Sequence, residues 1–338
     1  MATDILALTE KLDRLDRIPL ADLPTPVRRL DRVSAELGKS VWIKRDDFTG
    51  AEMSGNKVRK LEYTLAKALK EGADTVITAG GIQSNHARAT AAAAARLGLR
   101  SHLVLEISAV PPLEGNYLLD RMFGAEITLL HEDEDVSLSD KMAEIAGQLR
   151  EAGHRPYIIP VGASDGVGNL GYLNAFREIL AQEKTLGVRF DAVACAVGSG
   201  GTLSGLYLGN RLFGAGKRIV GITVCDDRDY FKTVCGSIVN RTLELLAEEP
   251  DENPDFTFID GYKGRGYALS SPEELRFIAK IAAMEGIVLD PVYTGKAFYG
   301  LWQEIGRGTL DGADNILFIH TGGQYGLFPK QTQMAEVL

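Results

Sequence analysis

The sequence predicts an α/β protein built on mostly parallel sheet, and three observations carry that prediction. Short apolar runs alternate with longer segments of helical periodicity, the pattern of strands joined by crossover helices. Glycine- and hydroxyl-rich turns recur where a strand hands over to a helix, as at Gly198-Ser199-Gly200-Gly201-Thr202. The chain has 338 residues, 45% hydrophobic and 25% charged, enough for a large core in one large or two ordinary domains.

Taken in order, the chain opens with an amphipathic helix. Leu23-Pro24-Thr25-Pro26 follows as a rigid extended turn, because proline restricts both itself and its predecessor. The spacing predicts a helix over 27–37, a strand over 41–44 and a polar loop over 45–56. Leu61, Leu65, Ala68 and Leu69 then repeat at helical spacing, which puts Lys57 in the first turn of a helix. Strand–loop–helix units follow: strand 75–78 with helix 87–97, strand 102–106 with helix 116–123, and strand 127–130 with helix 136–151. A strand over 157–161 closes that series. The second half is read as helix 172–182, strand 192–197, helix 203–213, strand 219–224 and a polar break at 250–254. Helix 272–284, an apolar strand at 287–289, helix 296–305 and strand 316–320 complete it. No linker, low-complexity tract or internal repeat divides the chain. The alternation permits two sheets, one from about 60–160 and one from the flanking segments.

Composition narrows the function classes. A net charge of -9 argues against nucleic acid or an anionic membrane as partner, yet leaves room for a small anion in a local pocket. No apolar run reaches membrane-spanning length. Cys195, Cys225 and Cys235 have no paired spacing, and the five histidines are dispersed, so neither a disulfide framework nor a metal site is expected. The first twenty residues lack a signal-peptide core and are rich in acidic residues, so a cytoplasmic location is expected.

Four stretches carry chemistry. Lys57 stands in Ser54-Gly55-Asn56-Lys57-Val58-Arg59-Lys60, at the positive end of a helix, where an amine loses its proton more easily. The 198–202 loop lies between a strand and a helix, where glycines and backbone N–H groups favour a phosphate. No Gly-Lys-Ser/Thr follows, so it is not a nucleoside-triphosphate loop. Gly166-Val167-Gly168-Asn169-Leu170-Gly171 matches a dinucleotide pattern literally, and Gly198, Gly200 and Asp226 offer a second version, so a nicotinamide-dependent oxidoreductase stays open. Ser84-Asn85-His86 starts a helix after a strand, and Tyr267, Tyr293 and Thr321 lie in or beside turns, the last two after apolar runs. Their recurrence at strand ends predicts a common site.

In their order along the chain, Ser54 to Lys60, Gly81-Ile82-Gln83-Ser84-Asn85-His86, the 198–202 loop, Asp290 to Lys296 and His320-Thr321-Gly322-Gly323 resemble the pyridoxal-phosphate enzymes of the tryptophan-synthase β fold. The branch most resembled is that of D-cysteine desulfhydrase and 1-aminocyclopropane-1-carboxylate deaminase. The likeness runs from about Leu23 to Phe328. Trp42 to Asp47 and Cys225 to Phe231 resemble the plant-type desulfhydrases in particular.

The resemblance implies two three-layer αβα domains of fold type II. Residues 1–59 plus 164–338 would form the larger, cofactor-binding domain, and 60–163 a smaller inserted one, with the active site in the cleft between them. It implies that Lys57 binds pyridoxal 5'-phosphate covalently and shuttles the substrate's Cα proton. Asn56 and the loop Gly198, Ser199, Gly200, Gly201 and Thr202 would hold the cofactor, and Asn85 its ring hydroxyl. Ser84, Asn85, His86, Tyr267 and Tyr293 would surround a small amino-acid substrate, with Ser84, Tyr267 and Tyr293 taking part in the chemistry. In the cyclopropane deaminases a glutamate follows this tyrosine and faces the pyridine nitrogen. Here the candidates are Thr294 and Thr321, neither of which keeps that nitrogen protonated as a carboxylate does. The implied reaction is elimination of D-cysteine to pyruvate, ammonia and hydrogen sulfide. The cyclopropane acid, L-cysteate and β-chloroalanine are the alternative substrates. A homodimer is expected from the same likeness.

Overall fold

The computed structural model describes residues 5–338. Its strands are β1 (Val27–Arg29), β2 (Ser40–Lys44), β3 (Thr75–Gly81), β4 (Arg100–Ile107), β5 (Glu126–His131), β6 (Pro156–Ile158), β7 (Ala192–Val197), β8 (Arg218–Thr223), β9 (Thr257–Ile259) and β10 (Asn315–Ile319). Its helices are α1 (Ile5–Asp13), α2 (Asp31–Leu37), α3 (Asn56–Lys70), α4 (Asn85–Leu97), α5 (Gly115–Met122), α6 (Leu138–Glu151), α7 (Gly166–Leu186), α8 (Gly201–Leu212), α9 (Arg228–Leu245), α10 (Pro272–Glu285), α11 (Thr294–Gly306) and α12 (Gln331–Ala335).

Two sheets result. One has six strands in the order β1-β2-β10-β7-β8-β9, the other four in the order β5-β4-β3-β6. Every pairing is parallel except that of β1 with β2. Strand β7 shows why the larger sheet needs helices on both faces. All six of its residues are buried, and alternate side chains point to opposite sides. Val193, Cys195 and Val197 pack with Phe176, Leu206 and Phe231 of α7, α8 and α9. Ala192, Ala194 and Ala196 pack with Val33, Ile278 and Phe298 of α2, α10 and α11. The smaller sheet repeats the arrangement: Val76 meets α3 and α4, while Ile77 and Val104 meet Met142 and Ile145 of α6. Both units are therefore three-layered. Among the described residues no helix is long and apolar enough to cross a membrane.

The structure departs from the sequence reading at five places. Residues 27–37 split into β1 and α2, because Val27 to Arg29 pair with β2 along the sheet edge. Residues 287–289 form no strand: Gly286 ends α10 in the left-handed region, and Ile287 and Leu289 fill the core without a ladder. Strand β9 and the 18-residue helix α9 were not expected. The fourth departure bears on function. Gly166 to Gly171 is the first turn and a half of α7, not a loop, with Asp165 accepting the Gly168 N–H at 2.8 Å. A Cβ on Gly171 would sit 2.3 Å from the Arg59 carbonyl oxygen, so glycine there serves close helix packing. A dinucleotide has no loop to occupy at 166–171. The domain boundary expected between residues 59 and 60 falls inside the continuous helix α3.

Candidate cofactor site

The carboxyl ends of both sheets face one cavity. Gly80 and Gly81 of β3, Glu106 of β4, Gly198 after β7 and Thr321 after β10 all line it. Lys57 enters as the second residue of α3. The turn before it holds Gly55 at φ +101°, where an added Cβ would lie 2.8 Å from the Thr321 carbonyl oxygen. The Asn56 N–H donates to that same oxygen at 3.0 Å, and the Gly55 N–H to the Asp46 carbonyl at 3.1 Å. Behind this turn the buried Arg59 donates from Nε and Nη2 to both Asp46 oxygens, at 2.9 and 2.8 Å, and from Nη1 to Glu178 at 3.0 Å. This ionic cluster ties the start of α3 to α7. Burial lowers the Lys57 amine to about 8, only partly opposed by the Asp290 carboxylate. Lys57 is half-buried at the cavity, and its amine gives up its proton more readily than a surface lysine.

An anion cradle lies beside it. Gly200 adopts φ +81° and α8 begins at Gly201, so the 198–202 turn leads directly into a helix N-terminus. Cβ atoms here have no room: at Gly198 one would lie 2.7 Å from the Tyr293 ring, and at Gly201 2.7 Å from Lys60 Nζ. Lys60 sits three residues after Lys57, fully buried, and donates to the Gly162 carbonyl at 3.2 Å and Ser164 Oγ at 3.1 Å. Burial first, and then Lys57, pushes its pKa well below the ordinary lysine value. Ser164 Oγ and Ser199 Oγ are 2.8 Å apart. Asn56 Nδ2 donates to Thr202 Oγ1 at 2.9 Å.

The opposite wall carries the hydroxyls and amides. Ser84 caps α4 by accepting the Ala87 N–H at 3.1 Å. Asn116 Nδ2 donates to Asn85 Oδ1 at 2.9 Å, while Asn116 Oδ1 accepts from Arg88 Nε at 3.1 Å. His86 Nε2 lies 2.8 Å from Thr78 Oγ1. Burial, reinforced by Lys57 and Lys60, holds the ring well below the ordinary histidine range and hence neutral. The Tyr267 and Tyr293 hydroxyls are 2.8 Å apart, with ring planes at 65°. Burial raises both pKa values, so both phenols keep their protons.

A half-buried lysine of lowered pKa next to a glycine cradle and a second, fully buried lysine fits a carbonyl compound bearing a phosphate. The model of the family described as pyridoxal-phosphate dependent enzymes matches residues 18–322. The chain belongs to that family. Its cofactor is pyridoxal phosphate, and it is a lyase. It is 44% identical, over 94% of its length and 81% of the relative's, to the bifunctional D-cysteine desulfhydrase/1-aminocyclopropane-1-carboxylate deaminase, mitochondrial, of Arabidopsis thaliana. It is 40% identical, over 94% of its length and 97% of the relative's, to the D-cysteine desulfhydrase of Klebsiella pneumoniae. A solved structure of an ACC deaminase homologue superposes with TM-score 0.90 at 41% identity, covering 98% of this chain and 99% of that one.

Against this family the expected site residues sort plainly. Asn56, Lys57, Ser84, Asn85, His86, Gly198, Ser199, Gly200, Thr202, Tyr267, Tyr293 and Thr321 all line the cavity. Gly201 backs the cradle through its contact with Lys60. Thr294 does not line it: the residue is buried, and its hydroxyl donates to Asp290 Oδ1 at 2.7 Å and accepts the Asp290 N–H at 2.8 Å. Of the two threonines expected at the ring, Thr321 lines the cavity and Thr294 turns onto Asp290. Lys60, Asn116, Ser164 and Glu106 are residues that sequence reasoning missed. Lys60 alone had a signal, its helical spacing from Lys57.

Proposed function

We propose that this chain catalyses elimination of sulfide from D-cysteine, giving pyruvate, ammonia and hydrogen sulfide. The observation that carries the reading is the absence of a carboxylate at Thr321, the one of the two ring-nitrogen candidates that lines the cavity. Thr294 and Thr321 are hydroxyls, and among the described residues lining the cavity the only carboxylate is Glu106, on the strand of the smaller sheet. Pyridoxal phosphate supplies the electron sink for carbanion chemistry when bound. Lys57 would hold it covalently, and the 198–202 turn with Lys60 would hold its phosphate. A neutral partner at the ring nitrogen weakens that sink, which suffices to expel a good leaving group such as a thiolate but is poorly matched to opening a cyclopropane ring.

The protein's own residues supply the rest. Lys57, at about 8, is partly free base near neutral pH and suited to take the Cα proton. As that C–H bond breaks, the Cβ–S bond breaks too, and the electron pair leaves on sulfur. The protonated pair Tyr267 and Tyr293 offers a proton to the departing sulfide. Water then converts the released 2-aminoacrylate to pyruvate and ammonia, so cysteine and one water balance the products. Glu106 at the wall repels an anionic side chain, which argues against L-cysteate. Lys263 and Arg265, its possible counter-charges, are exposed and outside the lining.

The relatives' names support both elimination of cysteine and deamination of the cyclopropane acid, and the test compares them. Holoenzyme is given D-cysteine, L-cysteine or 1-aminocyclopropane-1-carboxylate, and sulfide and 2-oxo acid are assayed. Sulfide and pyruvate in equal amounts from D-cysteine are expected. Faster 2-oxobutanoate production from the cyclopropane acid would replace this reading with the deaminase one.

A further inference from the structure

Residues 261–268 form no helix or strand, and they deliver Tyr267 to the cavity wall. Gly261, Gly264, Gly266 and Ala268 all have positive φ, at +93°, +60°, +131° and +55°. Such a segment gains little order from its own backbone. Tyr262 anchors one end of it to Glu304, and Lys296 holds its middle. Lys296 of α11 is 1% exposed, and its Nζ donates to the Lys263 and Gly266 carbonyls, both at 2.7 Å. Among the described residues it forms no ion pair. With the Glu274 and Asp290 carboxylates acting only at longer range, a lysine buried against two carbonyls gives up hydration that an apolar side chain of its size would not lose.

Helix α11 begins one residue after Tyr293, so Lys296 stands one turn from that phenol. Its two hydrogen bonds close a frame: α11 presents Tyr293, Lys296 grips the loop on either side of Gly264, and the loop returns Tyr267 to within 2.8 Å of Tyr293. We propose that Lys296 is a positioning residue that holds the 263–267 segment closed over the cavity and thereby sets the Tyr267–Tyr293 pair. Lys296 touches neither phenol in this role; it acts through the carbonyls it holds. The functional half of the statement rests on the reading of the two tyrosines as residues that meet the substrate, and the structural half does not.

Trypsin separates the halves, because Lys263 and Arg265 are exposed cleavage sites within the segment itself. Holoenzyme of the wild type and of Lys296→Met is digested under native conditions, and the peptides are identified by mass. Cleavage after Lys263 and Arg265 is expected to quicken about tenfold in the variant, as loss of two hydrogen bonds raises the open fraction. Unchanged cleavage would overturn the proposal whatever the substrate proves to be. Should Lys296→Met fail to fold, Lys296→Gln, too short to span both carbonyls, is read in the same way. Turnover is then compared in a cycle with Tyr267→Phe. If Lys296 works through the tyrosine, adding Lys296→Met to Tyr267→Phe lowers kcat by less than twofold, although Lys296→Met alone lowers it about tenfold. Full additivity with accelerated cleavage would remove the tyrosine from the proposal and so sink it.

Discussion

The side-chain amide of Asn116 donates to Asn85 Oδ1 at 2.9 Å, and this bond decides which end of Asn85 is left for the cavity. With its oxygen engaged, Asn85 presents the Nδ2 donor. Asn116 is itself oriented by Arg88 Nε, and Arg88 Nη2 donates to the Ser54 carbonyl at 2.9 Å, just before the Lys57 turn. The donor facing the cavity is thus set by a chain of partners that starts beside the lysine.

Asn116→Asp keeps the size but replaces the donor with an acceptor, so the Asn85 amide must turn or lose its partner. Pyridoxal phosphate is expected to bind the variant about tenfold more weakly, the size of one lost hydrogen bond with its partner left buried. Fluorescence titration of apo-protein with the cofactor measures this. Equal affinity would show that Asn85 is oriented by the cavity alone.

Lys60 separates holding from folding. Its amine is fully buried and without a carboxylate among its hydrogen-bond partners, so the apo-protein bears an uncompensated desolvation cost. Lys60→Met should leave the melting temperature of the apo-protein unchanged or raised. Affinity for pyridoxal phosphate should fall about 10- to 100-fold, the magnitude of a charge-assisted hydrogen bond. Calorimetric melting of both forms, with and without cofactor, checks the pair of outcomes. A large fall in apo-protein stability would assign Lys60 to the scaffold instead.

What could be read from sequence followed the range over which the deciding contact acts. Lys57 and the 198–202 turn were readable because a helix start and a glycine turn are local events. Lys60 was not, since its partners Gly162 and Ser164 lie about a hundred residues away. The glycines at 166–171 looked like a loop because glycine is scarce inside helices. The reason they lie in a helix, the Arg59 backbone pressed against Gly171, is invisible in one dimension. Helix α9 escaped notice because its buried residues, Phe231, Cys235, Ile238, Val239, Thr242 and Leu243, are interleaved with charges and hydroxyls. Thr294 was misplaced by analogy of position: as the first residue of α11 its hydroxyl turns back onto Asp290 rather than into the cavity.

The remaining prediction concerns pH. A lysine whose pKa is lowered from 10.5 to about 8 holds its proton less tightly, so its free-amine fraction is small at pH 6 and nearly complete at pH 9. Covalent re-attachment of pyridoxal phosphate to apo-protein requires the free amine. Its rate should therefore rise about tenfold per unit below pH 8 and level off above it. The dominant cause is burial, so the midpoint should respond little to salt, whereas a midpoint set by surface charges would shift. Asp290 opposes the effect by favouring the charged form, so Asp290→Asn should move the midpoint lower still. Stopped-flow absorbance across pH, repeated at low and high salt, measures all three. A wild-type midpoint near 10.5 would mean that the cavity does not activate Lys57, and the proton-transfer role assigned to it would have to pass to another group.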